Sequence, residues 1–194
     1  MLQNQKDNPR KFGLRETFHR DVTALGNVRI LCLAAMFAAM AVTLGSLAKF
    51  MFGTGPLRVT FENLPIIFCS VAFGPIVGGM CAFVADLCSC VIAGQALNPL
   101  ISVGAVSIGV LSGIVSHYIV RNHRLWALVI VEFVAHVIGS IVLKTWALSF
   151  FFAWSILLWR IPIYFAILLV ESYLLWVLLR NKHIHKLLEG VQKR

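Results

Sequence analysis

Six apolar stretches separated by short polar breaks occupy residues 30–179 and leave room for little else. They run from Ile30 to Lys49, Val59 to Phe73, Ile76 to Ala93, Asn98 to Val120, Leu125 to Leu143 and Ile161 to Leu179. A transmembrane helix takes roughly 20 apolar residues. The pattern predicts an all-α integral membrane protein with six transmembrane helices. Composition excludes the soluble alternative. Hydrophobic residues make up 59% of the 194 and charged residues 13%, against about 45–50% and about 25% in soluble domains. The expected organisation is a basic N-terminal segment over 1–28, a transmembrane domain over 29–180 and a basic tail over 181–194.

The net charge of +9 would raise the question of nucleic acid in a soluble chain, but its placement answers it. Six basic residues precede or open the first apolar run (Lys6, Arg10, Lys11, Arg15, Arg20, Arg29), two sit at Arg121 and Arg124, and five close the chain (Arg180, Lys182, Lys186, Lys193, Arg194). Alternate breaks are basic and the others nearly bare, which is the positive-inside pattern. Both termini are therefore expected in the cytoplasm, with the basic residues against membrane lipid and no nucleic acid as partner. Leu14, Phe18 and Val22 recur at helical spacing among charges, so this segment could lie on the inner membrane surface. No cleaved signal peptide is expected.

The breaks carry turn chemistry. Gly53, Gly55 and Pro56 mark an outer loop, Gly74-Pro75 a tight inner turn, and Asn98-Pro99 a helix start with proline in the first turn. Lys144 to Arg160 is too short to span and rich in aromatics (Trp146, Phe150, Phe151, Phe152, Trp154, Trp159), which suits an outer interfacial segment. The five cysteines lie in apolar runs, and Cys88-Ser-Cys90 lacks metal-ligand spacing, so they are expected to pack.

Three groups of residues could carry function. Two overlapping small pairs, Ala34/Ala38 and Ala35/Ala39, let a second helix approach closely, either within the bundle or on a partner subunit. Gly74, Gly78 and Ala82 share one face, and Ala105, Gly109 and Gly113 another, which implies tight packing. Asp86 lies mid-span, where a carboxylate needs a partner such as Arg58 or another polar group, or a proton. Glu132, His136, Ser140 and Lys144 fall four apart along the fifth run, and Arg160, Tyr164 and Glu171 lie roughly along one face of the sixth. Such stripes avoid lipid, so they either pair between helices or line a small-molecule cavity. Lys144 and Arg160 beside Trp146 suit a planar ligand with a carboxylate or other polar groups. The substrate-binding candidates are Arg58, Glu62, Asn63, Asp86, Asn98, Glu132, His136, Lys144, Trp146, Arg160, Tyr164 and Glu171. No metal site is expected: His117 and His123 sit toward the inner side, His183 and His185 lie in the tail, and His136 is alone mid-membrane. No phosphate-binding G-x-x-x-x-G-K-[ST] loop and no catalytic constellation occurs, so the chain reads as no enzyme and no ATPase.

The Ala-rich first helix, the run Arg58-Val-Thr-Phe61-Glu62-Asn63-Leu64-Pro65, then Phe73-Gly74-Pro75, Gly78 and Asp86 together resemble the substrate-binding S component of energy-coupling factor (ECF) vitamin transporters. They are most similar to its folate family. The likeness continues through Asn98-Pro99, Gly109, Gly113 and Arg160-Ile-Pro162-x-Tyr164 to Glu171. This resemblance implies a multi-pass protein of a prokaryotic cell membrane that captures a vitamin, folate or a related molecule, in a cavity open to the outside. The cavity is built mainly from helices four to six and the outer loops. It also implies docking, through Ala34, Ala35, Ala38 and Ala39, on a transmembrane T subunit with two cytosolic ATPases. Those partners use the ATP, and this chain binds no cofactor. At the end of helix five the chain carries Lys144-Thr145-Trp146 where many folate members carry an Asn-Thr pair, which leaves the vitamin open. The alternative from the residues themselves is a self-sufficient proton-coupled carrier with Asp86, Glu132, His136 and Glu171 as relay.

Overall fold

The computed structural model describes residues 22, 25–52, 61–120, 125–150, 154 and 158–181. Arg58, most of the basic N-terminal segment, the Arg121–Arg124 break, part of the aromatic stretch and the basic tail lie outside them. Every element among the described residues is helical. Helix α1 is Val28–Phe52, α2 is Asn63–Phe73, and α3 is Pro75–Ile92. Helix α4 is Pro99–Ile114 with a π-helical continuation, Val115–Val120. Helix α5 is Leu125–Ala135, continued by the π-helical His136–Lys144 and by Thr145–Ser149. Helix α6 is Arg160–Arg180. The fifth apolar run thus extends as helix beyond Leu143, because Lys144 to Ser149 contains neither glycine nor proline to stop it.

Five of these segments are long and apolar enough to cross a membrane: Val28–Met51, Pro75–Ile92, Pro99–Ile119, Leu125–Ser149 and Ile161–Arg180. Helix α2 differs. Its 11 residues rise only about 16 Å, half of a hydrocarbon core of about 30 Å. It is also the most enclosed element, with Asn63 and every residue from Pro65 to Phe73 buried. Four helices enclose it: α2 packs on α1, α3, α4 and α6, while α1 packs on α3, α3 on α4, α4 on α5 and α5 on α6. A half-length helix of this kind is tolerated at membrane depth because protein, not lipid, covers it.

The surface is reversed relative to a soluble protein. Met36, Phe50, Val91, Trp126 and Leu169 are exposed, while Asn63, Ser70, Ser102, Ser112, Glu132, His136, Ser140 and Glu171 are buried. Apolar side chains facing outward on every long helix suit hydrocarbon as solvent, and the buried polar groups are those that lipid would not accept. The chain is a multi-pass membrane protein.

The α2–α3 corner turns on a single residue. Gly74 has φ of 101°, which side chains disfavour, and Pro75 begins α3 at the position where its missing N–H matters least. That proline has no N–H for the carbonyl of Val71 four residues earlier. His117 of the π-helical segment fills the gap, with Nε2 2.9 Å from the Val71 oxygen. Replacing His117 by Ala removes this donor and leaves a carbonyl unmet. It should lower stability by about 1–3 kcal/mol, read as an earlier melt in detergent.

Tight packing forms where the small-residue faces predict it. A Cβ on Gly109 would meet the backbone of Gly78 and Gly79, and one on Gly113 would meet Pro75. The Ser70 hydroxyl of α2 donates to the Gly109 carbonyl in the same place. Helices α2, α3 and α4 therefore meet almost backbone to backbone at this end.

Candidate functional site

Spacing brings the polar stripe of α5 to the inside. Glu132 and His136 are four residues apart on one helix face, and Ser140 follows four residues later. From α6, Glu171 meets them. His136 Nε2 lies 2.7 Å from Glu171 Oε2 and 3.2 Å from Glu132 Oε2. Ser140 Oγ stands 3.4 Å from the other ring nitrogen, Nδ1. The Tyr164 ring lies with its centroid 5.8 Å from that of His136. Glu132, His136 and Glu171 are 0%, 1% and 0% exposed.

One ring nitrogen can give at most one hydrogen, yet two carboxylates face it. Both oxygens of Glu132 and Oε1 of Glu171 have no hydrogen-bond donor. The Glu132 contact is accordingly an electrostatic one, and Glu171, being nearer, takes the hydrogen when Nε2 carries it. His136 is therefore not isolated, as the scatter of histidines along the sequence suggests. It sits between two acids from two helices, and the three side chains together could hold a metal ion. A shallow crevice too narrow for a water-sized molecule runs beside it, lined by His136, Val137, Ile141, Tyr164, Phe165 and Leu168.

Other candidates fall elsewhere. Asp86 of α3 accepts a hydrogen bond from the Ser102 hydroxyl of α4 at 2.6 Å. Ser102 is thus a polar group that meets this carboxylate, as its depth requires. Glu62 and Asp86 lie twelve positions either side of Gly74 and hence at a similar level. The Glu62 carboxylate rests over Gly45 of α1, where a Cβ would overlap it, and it is within electrostatic range of Glu171. Asn63 is buried at the start of α2. Asn98 caps α4: its side-chain oxygen accepts from the Leu100 N–H at 3.0 Å.

Lys144 is half-buried, with its stem across Gly104 of α4. Trp146 is exposed and faces Phe150 at 6.0 Å between ring centroids. Arg160 opens α6. The structure therefore joins Glu132, His136, Glu171 and Tyr164, and keeps Asp86, Asn98 and Trp146 at separate places. A signal for the Asp86 pair is present in the sequence, since Ser102 lies in the first turns of the neighbouring antiparallel helix. The His117 contact has a weaker signal: Pro75 announces an unmet carbonyl, but not which group meets it.

The alanine pairs of α1 separate. Ala34 and Ala38 face inward and are buried, and Cys81 Sγ of α3 lies 3.5 Å from the Ala34 carbonyl. Ala35 and Ala39 are exposed on the outer side of the bundle, beside the exposed Met36 and Met40. The 3.6-residue period explains the split, since adjacent residues point about 100° apart.

Comparison with known proteins gives the family. The family model described as the substrate-specific component of ECF transporters matches residues 29–191. No curated protein matches the chain. The matched residues cover the six helices described above, save Val28, and both sides of the Glu132–His136–Glu171 contact, so the chain belongs to the family of ECF transporter substrate-specific components.

Proposed function

We propose that this subunit captures a vitamin, folate or a related planar molecule, from outside the cell. It then delivers the vitamin inward after docking on a T subunit and two cytosolic ATPases. The chain itself performs no chemistry and binds no ATP. The termini are cytoplasmic, and the protein resides in a prokaryotic cell membrane. The observation that carries this reading is a polar interior inside a substrate-specific transport component. Glu132, His136 and Glu171 are buried with carboxylate oxygens unmet, and Tyr164 stands beside them. Unmet carboxylate oxygens in a low-dielectric site favour N–H donors on a ligand strongly. Lys144, five residues before the end of α5, and Arg160, the first residue of α6, are the cations assigned in this reading to an anionic end of the ligand.

The crevice has no room for even a water-sized molecule, whereas small-molecule sites enclose roughly 300–1,000 Å³. In this reading α5 and α6 part to admit the vitamin. A thermal-shift panel of folates, pantothenate and pyridoxine-like compounds on the purified chain tests it. A true ligand at a hundredfold excess over its dissociation constant should stabilise by about 2.7 kcal/mol. No shift with any vitamin would overturn the vitamin assignment.

The buried acid–imidazole–acid contact also favours a second reading, a self-sufficient proton-coupled carrier with Asp86, Glu132, His136 and Glu171 as relay. Reconstitution of the chain alone separates the two. Uptake driven by a proton gradient without ATPases supports the carrier, and uptake only with the ATPase module supports the subunit.

A further inference from the structure

We infer that Glu132, His136 and Glu171 form a binding site for one divalent first-row metal ion inside the membrane-embedded bundle. The inference goes beyond vitamin capture but uses the same side chains: an ion held there takes up carboxylate oxygens that otherwise meet ligand N–H groups.

The donor set has the right chemistry, and its nitrogen already stands at ligand spacing from both acids. One imidazole nitrogen and one oxygen from each carboxylate all lie within 4.8 Å of one another. The two nitrogen–oxygen separations are 2.7 and 3.2 Å. Metal–ligand bonds of about 2.0–2.2 Å at tetrahedral or octahedral angles place neighbouring ligand atoms roughly 2.8–3.6 Å apart. The imidazole nitrogen is thus at ligand spacing from both acids, while the two carboxylate oxygens, within 4.8 Å of each other, would draw together by about an ångström to close around an ion.

Charge and hydrogen-bond accounting point the same way. Three carboxylate oxygens in fully buried side chains have no donor. Unpaired buried charge in hydrocarbon is costly, so such groups pair with each other, with a cation or with a proton. An imidazolium between two carboxylates leaves a net negative charge. A divalent ion with a neutral imidazole and two carboxylates sums to zero, and it supplies the partner that Glu132 lacks. Ser140 Oγ beside Nδ1 gives that ring nitrogen an outer partner, which leaves the Nε2 lone pair directed between the two acids. Metal-bound histidines characteristically have such a partner on the far nitrogen. The π-helical segment begins at His136 itself, and short π-helical stretches recur at functional sites. Nitrogen and oxygen donors without thiolate suit Zn²⁺, Mn²⁺, Fe²⁺ or Co²⁺. Three protein ligands leave at least one coordination position for water or a bound molecule.

The test uses the full chain, without a polyhistidine tag, purified in detergent and stripped with a chelator. Zn²⁺, Mn²⁺ and Co²⁺ are added one at a time, without any vitamin. Bound metal is counted by elemental analysis, and melting is followed in parallel. The expected result is one equivalent per chain for at least one of these ions, a rise in melting temperature of about 5–10 °C at hundredfold excess, and, with Co²⁺, a visible ligand-field absorption. Glu132→Gln, Glu171→Gln and His136→Gln should each abolish the stoichiometric binding. A wild-type chain that takes up no equivalent of any of the three ions overturns the site, whatever the variants do. Binding that persists unchanged in all three folded variants also overturns it. If a variant does not fold, the wild-type count and the Co²⁺ spectrum decide. Vitamin binding by a chain that takes up no metal would sink this inference and leave the proposed function standing.

Discussion

Replacing Gly109 by Val should destabilise the bundle by about 3 kcal/mol or more, the upper end for overpacked cores. The melting temperature should fall by about 6–12 °C. The reason is the nature of what the new side chain meets. A Cβ at Gly109 would come within 2.7 Å of the Gly78 carbonyl carbon and 3.0 Å of the Gly79 nitrogen. A flexible side chain could swing aside, but here the obstacle is backbone, so α3 and α4 must separate. Separation would also draw Ser70 away from the Gly109 carbonyl and loosen the cover over the short α2. A lipid-facing change on the same helix, Val103→Leu, should stay within about 0.5 kcal/mol, since Val103 is exposed. Equal melting of wild type and Gly109→Val would show that this helix crossing is not as described.

The second large effect is functional and divides two neighbouring positions on α1. Ala35→Leu should leave the melting temperature and ligand binding unchanged. It should weaken assembly with the T subunit and ATPases by on the order of tenfold or more, about 1.4 kcal/mol or above. Ala35 is exposed on the outer face of the bundle, and a leucine there holds a partner helix away. Ala38→Leu should do the reverse at first. Ala38 is only 3% exposed, so the added atoms strain the packing inside the bundle, by about 1–3 kcal/mol. Size-exclusion co-elution with the partner subunits, run beside a melting curve for each variant, separates the two. If Ala35→Leu assembles normally, docking uses another surface.

Much of the bundle was legible from residues 30–179 because hydrocarbon is an uncompromising solvent. It demands long apolar helices, and turn residues such as Gly74-Pro75 and Asn98-Pro99 mark where they end. The structure bears these two breaks out, Gly74 with a positive φ and Asn98 as a cap. The small-residue faces of α3 and α4 were equally readable, since Gly78 and Gly109 can serve close packing only if another backbone fills the space. The length of α2 was harder. Its apolar run from Val59 reads as a span, but the described helix begins at Asn63 and its 11 residues are about half of what a span needs. Enclosure by the other helices makes this acceptable, and enclosure is a tertiary property.

The site was readable only in part. Periodicity placed Glu132, His136 and Ser140 on one face, because a spacing of four is nearly a full helical turn. Which acid would face His136 across the bundle was not encoded locally. Glu171 is 35 positions away, and Asp86 was as eligible by depth and polarity until Ser102 proved to be its partner. The alanine pairs show the same division, since both have the spacing that close helix packing asks for. The sequence by itself determined that the chain is a helical membrane protein with polar residues gathered away from lipid, because solvent chemistry acts on every residue independently of its distant neighbours. Only the tertiary structure decided that Glu132, His136 and Glu171 converge and that Ala35, not Ala38, faces outward, because helix rotation and pairing are set by the packing of the whole bundle.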